Sequence, residues 1–286
     1  MPVASGYFGD AASTGGVAFA GLAFTVGLLL LTWVASLVRR DASLVDRVWS
    51  IAIVGAGWVF FLQAPEAGQP GGRPLWMLVL GSVWALRLSL FITWRNWGHG
   101  EDRRYRQIRA RNQPNFGGKS LYLVFLLQAV LAWVVAAPFL AGLGDIGDIG
   151  GMRPWGVLDV AGLALAAFGL VFEAVGDAQM ARFKADPRHQ GQVMDRGLWR
   201  YTRHPNYFGE ACVWWGLWLV ALGGAGWGAA WSVVSPLLMT VLLLKVSGVR
   251  LLEKDITERR PAYRDYIART NAFVPGPPKG PTRARW

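Results

Sequence analysis

The chain has 286 residues, 53% of them hydrophobic and 13% aromatic, with sixteen Trp and a mean hydropathy of +0.30. That is too apolar for an ordinary soluble domain and fits helices facing lipid, with aromatic belts at the interfaces. One cysteine, Cys212, excludes an internal disulfide framework and a multi-cysteine metal centre, and three dispersed histidines do not space a zinc site, so no metal is expected. The formal net charge of +11 would suit a nucleic-acid binder, but the placement of the charges argues otherwise.

Residues 1–14 are small and polar, lack a basic n-region and do not read as a cleaved signal peptide. Spanning a bilayer takes about 20 mainly apolar residues. Seven such segments follow, at about 15–38, 48–64, 75–94, 120–142, 155–175, 206–223 and 229–249. The expectation is an all-α polytopic membrane protein of about seven transmembrane helices, in one domain of residues 1–286. The loops alternate in charge. Residues 39–47, 95–119 and 176–205 and the tail from Arg250 hold 25 of the 29 basic residues, against Arg73 and Arg153 in the intervening loops. The positive-inside rule then puts the tail in the cytoplasm and the N-terminus outside, as in a bacterial inner membrane. Orientation accounts for the positive charge, and no nucleic acid is expected. The outer run Gly144–Gly151 carries Asp145 and Asp148 and reads as a flexible loop; two carboxylates do not complete a calcium shell.

Several polar groups fall at membrane depth. Asp46 and Arg47 open the second span, Arg87 lies within the third, and Asp159 sits near the outer end of the fifth, where it is expected to face the interface. Snorkelling to the inner surface is the simple account of Arg87. Glu173 and Asp177, four apart, share a face at the end of the fifth span; they read either as a helix end or as the wall of a polar cavity. The stretch from Gly197 to Glu210 runs from a basic loop into the sixth span. Pro205 suits a first helical turn. Arg200, Arg203 and His204 would surround that helix N-terminus as an anion site, with Asn206 and Glu210 one turn apart on one face. The simpler reading is a basic juxtamembrane anchor in which Glu210 pairs with an arginine. In the tail, Tyr263 and Tyr266 share a face of a helix within 257–270.

Arg203-His204-Pro205-Asn206-Tyr207-Phe208-Gly209-Glu210 resembles the signature of the steroid 5α-reductase-like membrane proteins, in particular their bacterial branch. The isoprenylcysteine carboxyl methyltransferases share its Arg-His-Pro-x-Tyr-x-Gly part, and the Asn206 and Glu210 pair leans towards the reductases. The resemblance runs from about Glu173 to Pro278, so residues 175–286 form the most family-like, cofactor-binding half. It implies a cytoplasmic cofactor cavity covered by loops and by the tail, which matches through Glu253, Tyr263, Tyr266 and Val274-Pro275.

By the same resemblance, Asn206 and Glu210 would hold the nicotinamide amide of NADPH, and Arg203, Tyr207 and Asp177 would line the cofactor. Arg182 or Lys184 and Arg250 would lie near its phosphates, with Arg95 and Asn96 as a further contacting pair. Where animal steroid reductases carry a Gln-Glu pair and a Tyr, this chain offers Asp46, Trp49, Ser50, Trp84 and Arg87. Asp46 and Arg87 are the candidates for the substrate end, and a steroid 3-ketone is in doubt.

The expected activity is hydride transfer from NADPH to a C=C bond of a lipophilic, steroid- or isoprenoid-like enone. The alternative is an S-adenosylmethionine-dependent methyltransferase. A Gly-x-Gly-x-x-Gly spacing occurs once, at Gly142-Leu143-Gly144-Asp145-Ile146-Gly147, but it follows an apolar span in an outer Gly-rich loop and not a strand opening into a helix; no Walker sequence is present, so no soluble nucleotide fold is expected. The partners expected are the lipophilic substrate and membrane lipid, with no obligate protein partner. Topology has a direct check: a reporter fused after Trp286 should report cytoplasm and one within Gly144–Gly151 periplasm, and two reporters on one side would contradict an odd number of spans.

Overall fold

The computed structural model describes residues 13–64, 72–144, 153–246, 248–253 and 256–280. Among these the regular structure is helical, with one isolated bridge between Thr202 and Asn271 in place of any strand. Six helical stretches are long and apolar enough to cross a membrane. The sixth, Pro205–Val246, has 42 residues and would reach about 63 Å if straight. It does not run straight. Trp215 Nε1 donates to Thr240 Oγ1 at 3.3 Å across 25 residues, and Gly226 takes a left-handed φ of 61° between them. The stretch folds back on itself and supplies two passes, which gives the seven expected.

The chain divides into two compact units, residues 1–159 with 220–234, and residues 160–219 with 235–286. In the first, α1 (Thr14–Arg39), α2 (Leu44–Leu62) and α3 (Arg73–Arg95) pack in sequence. Aromatic rings fill glycine notches between them: Phe60 lies against Gly21, Phe24 against Gly55, and Phe139 between Gly57 and Gly81. A basic helix, α4 (Arg103–Arg111), follows, N-capped by Asp102. The fourth pass is α5 (Phe116–Ser120), a π-helical turn, α6 (Leu127–Val135) and α7 (Ala137–Ala141).

Asp159 departs from expectation. It is fully buried, and Arg73 grips it through Nε at 2.6 Å and Nη2 at 3.1 Å while the Gly156 N–H donates to it at 2.7 Å. Arg73 also donates to the Pro154 carbonyl and lies over the Trp155 ring. A carboxylate taken out of water needs such a partner, and losing either would leave an uncompensated charge.

The second unit is built on α8 (Val157–Ala185) and α9 (Pro205–Ala225), continued by α10 (Val234–Val241). As expected, α9 starts at Pro205. The helix of the fifth span runs on past residue 175; α8 continues through Asp177, Gln179, Arg182 and Lys184, there being no breaker before Pro187. The tail helix comes in three pieces, α11 (Val249–Glu253), α12 (Ile256–Arg259) and α13 (Tyr263–Arg269), with Pro261 between the last two. The Asp145 and Asp148 loop lies outside the described residues.

Helices α8 and α9 touch backbone to backbone along glycines spaced by seven. A Cβ at Gly169 would lie 2.4 Å from the Gly209 carbonyl oxygen, and one at Gly209 only 2.6 Å from both the Gly169 carbonyl oxygen and the Glu173 nitrogen. Gly216 meets Gly162 and Ala166 in the same way, and Gly176 meets Pro205. Close approach of this kind lets apolar helices associate in lipid by dispersion alone. Gly209→Ala should therefore cost about 1–3 kcal/mol by overpacking, seen as a lower melting temperature in detergent. Gly27→Ala on α1, where a Cβ meets nothing within 4 Å, should leave it unchanged or raise it.

Candidate functional site

The glycine seam sets an antiparallel register, and the register gathers polar residues that lie about 35 positions apart in sequence. Glu173 packs beside Gly209, and Gly176 faces the Asn206 nitrogen. Glu173 and Asp177 from α8 thus reach the level of Asn206 and Glu210 from α9. The three carboxylates are all buried, at 1%, 7% and 7% exposure for Glu173, Asp177 and Glu210. The Asn206 amide oxygen is buried without a hydrogen-bond partner. A carboxamide oxygen left bare inside a protein is costly, so this position is shaped for a donor. Among the described residues no group of three His, Cys, Asp or Glu has the geometry to hold a metal ion.

Just before Pro205 the chain makes a second constellation. Arg203 binds Glu253 with both arms of its fork, Nε and Nη2 each at 2.8 Å, and its Nη1 donates to the carbonyls of Thr270 and Ile267. His204 Nε2 donates to the same carboxylate at 2.9 Å, and its ring stacks on Tyr207 at 5.4 Å. The anion at this helix N-terminus is therefore the protein's own Glu253. Arg203, expected to line the cofactor, has four of its five N–H groups engaged inside the unit. Burial acts against ionisation of Glu253, but the hydrogen bonds from His204 and Arg203 outweigh it and hold its pKa down to about 2.

Tyr263 and Tyr266 do share a face, meeting edge to face at 5.2 Å. Both are buried, Tyr266 donates to the Trp199 carbonyl, and burial pushes both phenols up. They fasten the tail to the turn before α9. Thr202 and Tyr201 complete the fastening: Arg203 N–H donates to the Asn271 carbonyl at 2.9 Å, Thr202 Oγ1 to that of Phe273 at 2.7 Å, and Gly276 N–H to that of Tyr201 at 3.0 Å. Arg182, Lys184, Arg200 and Arg250 are exposed. Arg200 lines a cavity whose walls include neither the three carboxylates nor Asn206.

The remaining candidates belong to the first unit. Asp46 accepts from Arg104 Nη2 at 2.7 Å and from the Tyr105 hydroxyl at 2.6 Å. Tyr105 is buried, and sequence reasoning missed it because it lies 59 residues from its partner in an otherwise basic helix. Ser89 Oγ donates to the Arg47 carbonyl and Ser50 Oγ to that of Ala85, a register that brings Arg87 level with Val48 and Trp49 of α2. Arg95 and Asn96 bond each other at 3.2 Å at the exposed end of α3.

Fold and polar groups together define a polytopic helical membrane protein with a buried carboxylate–carboxamide level between two glycine-packed helices. The chain belongs to the DUF1295 family, described as proteins of unknown function, whose model matches residues 32–270. The match extends well ahead of the motif-rich half, into the first span. An uncharacterized protein of Schizosaccharomyces pombe is 26% identical, over 88% of this chain and 79% of that one. No solved structure matches the chain.

The Glu253 clamp makes a stability prediction. With its pKa lowered from 4.5 to about 2, Glu253 contributes stability that is fully present above about pH 4.5 and is lost as pH falls towards 2. Glu253→Gln should lower stability at pH 7 by about 1.5–3 kcal/mol, the value of hydrogen bonds to a charged group. The gap in melting temperature between wild type and variant should close across that pH window.

Proposed function

We propose that this chain is an NADPH-dependent membrane reductase that transfers hydride to a C=C bond of a lipophilic enone. The observation that carries the reading is the bare, buried Asn206 amide oxygen at the level of Glu173, Asp177 and Glu210. A nicotinamide ring carries a carboxamide, whose NH₂ is the donor that Asn206 lacks, and it becomes positive on oxidation. Buried carboxylates close to such a ring favour the charge that grows during transfer, and fixed dipoles in a dry site act most strongly. The signature at residues 203–210, which resembles that of the steroid 5α-reductase-like proteins, supports the same reading. NADPH, when bound, supplies the hydride. The chain's own residues orient the ring, exclude water through the glycine-packed helices, and hold negative charge beside it. Asp46 and Arg87, both in the first unit, are the proposed groups for the substrate carbonyl. The basic loops support a cytoplasmic tail.

One observation favours a second reading. Arg203 is engaged by Glu253, alongside His204, which removes one guanidinium from those available to a pyrophosphate. A positive sulfonium needs no such cations and also suits buried carboxylates, so an S-adenosylmethionine-dependent methyltransferase remains the alternative.

Purified protein in detergent separates the two by linkage. NADPH alone should raise the melting temperature under the first reading, and S-adenosylmethionine alone under the second. Under the reductase reading, Asn206→Ala should weaken NADPH binding about tenfold, the loss of roughly one net hydrogen bond. Glu210→Gln should slow hydride transfer by more than it weakens binding, since the charge matters most in the transition state. Stabilisation by neither cofactor would contradict both readings.

A further inference from the structure

The polar segment between α8 and α9 and the end of the tail enclose a cavity of about 570 Å³. Asp195, Arg196, Gly197 and Arg200 line one side, and Arg269 and Lys279 the other. Four cations thus face one carboxylate. Asp195 is already bound by Arg269 Nη2 at 2.5 Å, while the side chains of Arg196, Arg200 and Lys279 have no partner among the described residues. Three unpaired positive charges around one concavity repel each other, and an anion between them would relieve that repulsion.

The backbone of both walls is hydrogen-bonded to the rest of the unit. Gly197 has a left-handed φ of 58°, and a Cβ there would lie 2.6 Å from the Gln179 amide. The next residue, Leu198, donates its N–H to Gln179 Oε1 at 2.9 Å, and Trp199 Nε1 donates to the Gly176 carbonyl at 2.9 Å. Across the cavity, Lys279 N–H donates to the Arg269 carbonyl at 2.8 Å, which holds the Lys279 backbone at that wall. A charge that served only to orient the protein in the membrane would need no such scaffold. It would work as well on a flexible loop.

We propose that this cavity is a binding site for a phosphate-bearing anion, held by Arg196, Arg200 and Lys279. Two guanidinium forks and an ammonium match the oxygens of a pyrophosphate or of a lipid phosphate, and the cavity has room for either. Proximity to a bilayer makes an anionic lipid headgroup one source and a soluble phosphate compound the other. The site does not depend on the reductase reading, since phosphate chemistry alone defines it.

The test uses the full chain, delipidated in neutral detergent, with inorganic pyrophosphate as probe in calorimetry. Arg196→Gln, Arg200→Gln and Lys279→Gln should each weaken pyrophosphate binding about tenfold, and the double arginine variant about a hundredfold. Arg188→Gln, in the same segment but outside the cavity and paired with Asp186, should change it little. The targeted side chains have no partners to lose among the described residues, and an unchanged melting temperature confirms folding. The same titration in nanodiscs identifies the source. Competition by phosphatidylglycerol over phosphatidylcholine, lost in the double variant, assigns a lipid headgroup, and indifference to phosphatidylglycerol assigns a soluble phosphate. Wild type and a folded double variant that bind pyrophosphate and phosphatidylglycerol equally well, or not at all, would overturn the proposal.

Discussion

The second unit depends on the backbone contact between α8 and α9. In lipid, apolar side chains gain nothing by leaving their surroundings, so helices associate through close packing and through polar groups that need partners. Glycine at 162, 169 and 176 on one helix, facing Gly216, Gly209 and Pro205 on the other, lets carbonyl and amide groups approach to distances that no Cβ would allow. Such a contact permits no sliding, because each residue of slip would drive a side chain into backbone. It therefore fixes which polar residues face which. Glu173, Asp177, Asn206 and Glu210 share one level because the glycines share one spacing.

A carboxylate clamp works at the end of the same helix. Glu253 draws Arg203, His204 and, through them, the start of α9 to the tail, and the tail returns to the turn before α9 through Tyr266, Asn271, Phe273 and Gly276. The arrangement answers a problem of burial. A guanidinium exposed only 9% and a helix N-terminus both require negative charge and acceptors nearby. One glutamate and two carbonyls satisfy most of that need. Arg73 and Asp159 solve the same problem in the first unit.

Much of this was legible in the sequence. Hydropathy located the spans, Pro205 marked the start of α9, and four-residue spacing put Glu173 with Asp177 and Asn206 with Glu210. These are local signals, carried by neighbours along one helix. What was not legible joins residues far apart. Arg203 pairs with Glu253 across 50 positions, Asp46 with Tyr105 across 59, and Arg73 with Asp159 across 86. A single chain records no such pairing, although Arg73 had a trace: a carboxylate in an apolar span demands a cation, and the outer loops held only two. The glycine seam left a plainer signal, its seven-residue spacing on both helices, which a scan for small residues on a helix face would have found. The reason Arg203 clamps Glu253, at a helix N-terminus read as an anion site, lies wholly in the tail, whose path the motif does not contain.

The central claim is that the residues gathered by the seam act as one site. A double-mutant cycle on NADPH affinity, using Asp177→Asn and Asn206→Ala singly and together, tests it most directly. The two residues come from different helices, α8 and α9, brought to one level by the register. Their effects should couple by about 1 kcal/mol or more, within the range for groups sharing one ligand. Additive losses within about 0.3–0.5 kcal/mol, or an affinity that neither change alters, would contradict the account.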